Sequence, residues 1–158
     1  MDKTYYITTP IYYPSAKPHM GHAYSSIIAD FFARFKKIDN YKVHFLTGTD
    51  EHGLKIQRSA EKAGKDPLVF CDQISQTFRD LSDTLNLSNT DFIRTTETRH
   101  KKTVQHLWNE LEKNDDIYLS NYSGWYSVSD EAFYSEEEIE ELDAVSYTHL
   151  TLPTIYSV

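Results

Sequence analysis

Two β-prone runs, Tyr5-Tyr6-Ile7-Thr8 and Tyr41 to Thr47, are separated by a segment whose apolar residues recur at helical spacing, and this alternation constrains the fold more than any other feature. Pro10, Pro14 and Pro18, with Ser15 among them, exclude regular helix before His19, so the first run leads into a loop. From Gly21 onward, Ala23, Ile27, Ile28, Phe31, Phe32 and Phe35 predict a buried amphipathic helix that reaches about Lys37 and closes at Asp39-Asn40. The second run ends in Gly48-Thr49-Asp50-Glu51-His52-Gly53, a second loop at the end of a strand.

Helical spacing returns from Leu54 to Ala63 and stops at Gly64. Asp66-Pro67 supplies a cap and first-turn proline for a further helix, expected to bury Phe70, Ile74, Phe78, Leu81 and Leu85. Phe92-Ile93-Arg94-Thr95 reads as a third strand, and Thr96 as the cap of a helix with His100, Val104, Leu107, Trp108 and Leu111 on its inner face. The order βαβααβα needs crossover connections, which implies an α/β fold with a parallel sheet and helices on its faces. Past Asn114, the short aromatic runs Ile117-Tyr118-Leu119, Trp125 to Val128 and Phe133-Tyr134 predict a small antiparallel insertion, followed by a helix capped at Ser135.

A chain of 158 residues with 39% hydrophobic and 25% charged residues suits one globular domain. No apolar run has the roughly 18 residues of a membrane span, the N-terminus lacks a signal-peptide layout, and a cytoplasmic location is expected. The single cysteine, Cys71, excludes an internal disulfide and a multi-cysteine zinc site. The formal charge of −8 comes from one stretch: Asp130 to Asp143 holds eight acids and no base, and the remaining 16 acids match the 16 bases. Net charge therefore argues neither for nor against a polyanionic partner.

In open parallel sheets, ligands bind beyond the carboxyl ends of the strands, where both loops fall. The first ends in His19-Met20-Gly21-His22 at a helix start, where free N–H groups and the helix dipole favour an anion. Both histidines fall on one side of the first turn and can donate to a phosphate oxygen, while Gly21 leaves room for a flat ring. Taken alone, the pair reads more readily as surface or structural histidines, and the zinc-protease pattern His-Glu-x-x-His is absent. In the second loop, Asp50 either caps the next helix or holds a substrate ammonium. Tyr12 and Tyr13 either wall a pocket or pack in the core.

The segments Thr9-Pro10-Ile11-Tyr12-Tyr13-Pro14-Ser15, His19-Met20-Gly21-His22, Thr47 to Gly53, Asp91 to Glu97 and Gly124-Trp125-Tyr126-Ser127 occur in an order that resembles bacterial methionyl-tRNA synthetases, a class I family. The resemblance runs from Thr4 to about Leu142. It implies the N-terminal half of a Rossmann-like catalytic domain that activates methionine with ATP, with magnesium on the phosphates, and passes it to tRNA(Met). It further implies that His19 and His22 stabilise the α-phosphate, that Gly21 lets adenine approach the helix, that Asp50 binds the methionine ammonium, and that Ile11 and Tyr13 line the amino-acid site. The segment from about Tyr118 would begin the connective peptide that presents the tRNA acceptor end.

Departures from the family pattern are instructive. Met20 replaces isoleucine or leucine, and Ala16 stands where glycine is frequent. No cysteine occurs from Gly124 to Tyr134, so no zinc is expected there, and no residue is assigned as a metal ligand. The lysine-rich second signature and the anticodon-binding domain are missing, so the chain is expected to be inactive alone. Residues 1–115 are assigned to the catalytic domain and 116–144 to the insertion. Residues 145–158 read either as a β-prone tail broken at Pro153 or as an adapter-derived tail, because Val145 to Thr154 resembles the translation of a transposase library adapter. On the latter reading the tail packs poorly and leaves Trp125, Tyr126, Phe133 and Tyr134 exposed. A non-catalytic nucleotide-binding module, or another class I synthetase or nucleotidylyltransferase, is the alternative function.

Overall fold

The computed structural model describes residues 3–127 and 130–135, together with the backbone of 147–157. The chain divides into two compact units, residues 1–101 and 102–158. The first unit runs β1 (Thr4–Thr8), α1 (Met20–Ile38), β2 (Lys42–Thr49), α2 (Leu54–Lys62), α3 (Pro67–Thr84) and β3 (Asp91–Arg94), and then enters α4 (Thr98–Lys113). Its three strands form one parallel sheet in the order β1-β2-β3, with Ile7 opposite Phe45 and Gly48 opposite Ile93. This is the α/β parallel sheet that the strand and helix alternation implies.

The second strand continues two residues past its expected end, so Gly48 and Thr49 belong to the ladder and not to the loop. Gly48 is there because β3 comes too close for any side chain: an added Cβ would lie 1.9 Å from the Ile93 carbonyl oxygen. Glycine usually signals a loop, but here it permits strand contact.

Helix α1 has the expected extent and the opposite face to the one expected. Its buried residues are Ala23, Ser26, Ala29, Asp30 and Ala33; Ala29 and Ala33 pack on Phe45, with Ile7 and Val43 beside them. Of the apolar set read as buried, only Ala23 is, whereas Ile28 is 40% and Phe31 63% exposed, with Ile27, Phe32 and Phe35 between these values. Small side chains let the helix axis approach the sheet, and a three-stranded sheet covers only one stripe of the helix. Asp30 anchors that stripe: it accepts from the Ser88 N–H at 2.6 Å and from Arg34 Nε at 2.6 Å.

Asp66 caps α3 by accepting from the N–H groups of Leu68 and Val69 at 2.9 and 3.3 Å, with Pro67 in the first turn. The helix buries Phe70, Cys71, Ser75 and Phe78, while Ile74, Leu81 and Leu85 are half-buried. Phe78 joins Tyr12 and Phe92 in a second core cluster. Helix α4 begins at Thr98, and Thr96 is not its cap, because the Thr96 hydroxyl donates to Glu51. No residue of α4 is buried, and Val104, Leu107 and Trp108 are exposed, contrary to the inner face read from spacing.

In the second unit, β4 (Ile117–Ser127) pairs antiparallel with β5 (Ala132–Tyr134) and with β6 (Tyr147–Ser157), in the order β5-β4-β6. The antiparallel character is as expected, but the two short runs before residue 128 form one continuous strand through Gly124. Trp125, Tyr126, Phe133 and Tyr134 are half-buried and not exposed; the Tyr126 and Phe133 rings meet edge to face at 5.1 Å. Pro153 does not break the tail's strand. It stands opposite Asn121 in a strand that, among the described residues, is at the edge of its sheet, where proline is tolerated. The helix expected from Ser135 lies outside the described residues.

Candidate functional site

The loops at the carboxyl ends of β1 and β2 are joined through Tyr12. Its N–H donates to the Gly48 carbonyl and its own carbonyl accepts from the Asp50 N–H, both at 2.9 Å. Its hydroxyl lies 2.7 Å from the Ser26 hydroxyl and donates to the His22 carbonyl at 3.3 Å. The ring stacks on Phe78 at 5.4 Å and meets the His22 ring edge-on at 4.9 Å. One buried tyrosine thus holds the start of α1 and the Asp50 loop to the same point. Of the two tyrosines, Tyr12 is the core residue. Tyr13 is half-buried at the edge of the loops, where its hydroxyl donates to the His52 carbonyl at 2.8 Å.

His19 and His22 cap α1 reciprocally. His19, in extended backbone conformation at the N-cap, accepts the Gly21 N–H on Nδ1 at 3.0 Å, and His22 accepts the His19 N–H on its own Nδ1 at 3.0 Å. An Nδ1 that accepts carries no proton, so each neutral ring keeps its hydrogen on Nε2 and presents it as a donor. The rings lie 3.8 Å apart at 35°. Burial, followed by repulsion from His19, holds the His22 pKa below the ordinary histidine value, which favours the neutral form this geometry needs. Gly21 has a local reason to be glycine: a Cβ there would lie 2.9 Å from His19 Cε1. The first turn of α1 holds no acidic residue to repel an anion.

Asp50 is half-buried, and its carboxylate takes no hydrogen bond or ion pair among the described residues. The cap reading fails for it, because the N-cap of α2 is Gly53 at φ 107°. Ile11 is 39% exposed at the same loops. His52 directs Nε2 toward the Thr95 carbonyl at 3.4 Å.

Sequence reasoning missed Glu51 as a buried hub. Its Oε1 accepts from Thr49 at 2.8 Å and from Arg94 Nε at 2.7 Å, its Oε2 accepts from the Thr96 hydroxyl, and its N–H donates to the Thr95 hydroxyl at 2.8 Å. Burial pushes the carboxyl up, but hydrogen bonds from Arg94, Thr96 and Thr49 and the charge of Arg94 outweigh it and leave the pKa below the usual range. A signal existed in the acid beside Asp50 and the Arg94-Thr95-Thr96 run, but the pairing spans 43 residues. Among the described residues no three His, Cys, Asp or Glu side chains converge on one point.

The model of the tRNA synthetases class I (M) family matches residues 5–143. The chain belongs to this family. It is 54% identical over 139 residues to methionine–tRNA ligase of Rickettsia bellii, covering 88% of this chain and 27% of that protein. It is 53% identical over 138 residues to the mitochondrial methionine–tRNA ligase of Takifugu rubripes, covering 87% and 23%. The chain therefore spans about a quarter of the length of these curated relatives. Among solved structures, Mycobacterium tuberculosis methionyl-tRNA synthetase in complex with methionyl-adenylate superposes with a TM-score of 0.90 at 45% identity, covering 97% of this chain and 32% of that one. The α/β fold is thus that of the class I synthetase catalytic domain. No helix among the described residues is long and apolar enough to cross a membrane.

Proposed function

We propose that this chain carries the front half of the active site of a cytoplasmic methionine–tRNA ligase, which joins methionine to ATP as methionyl-adenylate and then loads tRNA(Met). The observation that carries this reading is the pairing of two histidines that cap a helix N-terminus through Nδ1 with a carboxylate that has no partner among the described residues, both tied to Tyr12. That arrangement suits a substrate with an ammonium at one end and a phosphate at the other. Asp50 binds the α-ammonium, Ile11 and Tyr13 flank the amino-acid side chain, and Gly21 lets adenine lie against α1. As the methionine carboxylate attacks the α-phosphorus and pyrophosphate departs, His19 and His22 donate to the phosphoryl oxygens on which charge accumulates. Magnesium, bound to the nucleotide, neutralises phosphate charge.

Residues 1–115 serve as this half-domain and 116–144 as the start of the connective peptide. The relative solved with methionyl-adenylate supports the ligand class. Cations from a second, lysine-rich signature are absent from these 158 residues. Methionine-dependent ATP–pyrophosphate exchange by the chain alone is therefore expected to fall about 100-fold or more below that of a complete enzyme. The test is calorimetric titration with methionine: Asp50→Asn should abolish binding, and His22→Asn should leave it within about threefold. Binding by Asp50→Asn equal to the parent chain would overturn the assignment.

A further inference from the structure

We propose that Glu51 and Arg94 are a positioning pair that fixes the direction of the neighbouring Asp50 carboxylate. The geometry stands on its own, and only the consequence for methionine rests on the function proposed above.

Asp50 is tied by its N–H to Tyr12. The next residue, Glu51, has a side chain with 0% exposure, and its carboxylate receives three donors, from Thr49 at the end of β2, Arg94 at the end of β3 and Thr96 beyond it. Arg94 extends the connection to α3, because its Nη2 donates to Asp72 at 2.5 Å while its Nε holds Glu51. The Thr49 hydroxyl also meets the Ser75 hydroxyl of α3 at 3.1 Å. One peptide unit from Asp50 the chain is thus fastened to two strand ends and a helix by donors of fixed direction.

A buried ion pair is a poor source of net stability compared with apolar side chains of the same volume. What it does supply is orientation: planar guanidinium and carboxylate groups meet in few arrangements, and a binding carboxylate is useful only when its direction is held. Asp50, whose carboxylate has no partner among the described residues, inherits its direction from this neighbour.

The experiment uses the 158-residue chain and Glu51→Gln, which keeps the volume, removes the charge and turns an amide N–H₂ toward donors. The readout is hydrogen exchange of the Asp50 amide, with the Ala33 amide inside α1 as a control for global opening. The pair predicts Asp50 exchange faster by about tenfold or more with Ala33 unchanged, and methionine affinity weaker by a similar factor. Arg94→Lys should loosen Asp50 in the same way, and the double variant should loosen it no further than Glu51→Gln. If Ala33 also loses protection in Glu51→Gln, Thr96→Val, which deletes one donor at constant shape, is decided by the same pair of amides. Unchanged Asp50 exchange in a folded variant overturns the proposal. Failure of the parent chain to bind methionine, with faster Asp50 exchange in the variant, supports the pair and overturns the ligand assignment instead.

Discussion

His22 accepts the backbone N–H of His19 on Nδ1 at 3.0 Å, while His19 accepts the N–H of Gly21 on its own Nδ1 at the same distance. The helix cap therefore sets which nitrogen of each neutral ring carries the proton: protonating either Nδ1 removes an acceptor from an otherwise orphaned amide. A motif that looks like two free imidazoles is a pair of capping residues whose outward nitrogens are the donors.

The first prediction concerns that pair. Nitrogen chemical shifts should report Nε2–H tautomers for both rings at neutral pH, and His22 should titrate below 6.5, chiefly through burial. Because the fold prefers neutral His22, its contribution to stability is present above 6.5 and is lost as pH falls through its lower folded value. Replacing His19 with alanine should raise the His22 midpoint only partly, since burial remains. A midpoint at or above 6.5 in the parent chain would contradict the cap geometry.

Gly48→Ala and Gly21→Ala should differ sharply. At Gly48 the new methyl meets the backbone oxygen of Ile93 at 1.9 Å, so β2 and β3 must separate, at a cost of about 3 kcal/mol or more. At Gly21 it meets the end of the His19 ring at 2.9 Å, which can swing away at a cost of about 1 kcal/mol, losing the cap on Nδ1. Urea denaturation of the two variants measures both values.

Acid should destabilise the chain through its paired carboxylates, of which Asp30 and Glu51 are buried, while Asp91 is shifted the same way by Arg99. Asp30 feels burial that raises its pKa, outweighed by hydrogen bonds from Ser88 and Arg34, and Glu51 is likewise lowered by Arg94, Thr96 and Thr49. Both folded values lie below the unfolded ones, 3.8 for Asp and 4.5 for Glu, so the unfolded chain binds protons first as pH falls. Their stabilisation should be complete above about pH 5 and decline through pH 4 and below. Glu51→Gln should show a shallower decline over that range in thermal melts, and an unchanged slope would count against the buried pair.

The outward face of α1 yields a solubility prediction. Phe31 and Phe35 are 63% and 52% exposed, so Phe31→Ser and Phe35→Ser should change stability by less than about 1 kcal/mol while reducing binding of an apolar dye and self-association. A loss above about 3 kcal/mol, measured by urea denaturation, would place these rings in the core after all.

Residues 145–158 carry the fifth prediction. The backbone of Tyr147–Ser157 pairs with β4 along its length, a pattern open to any β-prone sequence beside an available edge. The adapter reading predicts that re-amplifying the source locus across the Ala144 codon, without transposase chemistry, gives a frame that departs from VSYTHLTLPT. Recovery of the same residues from native DNA would refute it.

Much of the first unit was legible because local signals and global topology agree there. The proline-bounded loop, the Asp66-Pro67 cap and the β-prone runs each fix one element without reference to any other. The positions of His19, Gly21, His22 and Asp50 after strands were legible for a related reason, since the order of elements places both loops at strand ends, whereas their proposed roles came from the family resemblance. The face of α1 was not legible, because periodicity reports where apolar residues recur and not which stripe the sheet covers; Ala29 and Ala33 won because small side chains allow close approach to Phe45. Gly48 read as a loop because its requirement comes from Ile93, 45 residues away. The work of Tyr12 and Glu51 depends likewise on partners brought in from other strands, Ser26 and Arg94 among them. Sequence determined the elements and which residues stand at their ends, while tertiary structure decided which faces met and which side chains pair across strands, because those follow from distances that exist only once the sheet has formed.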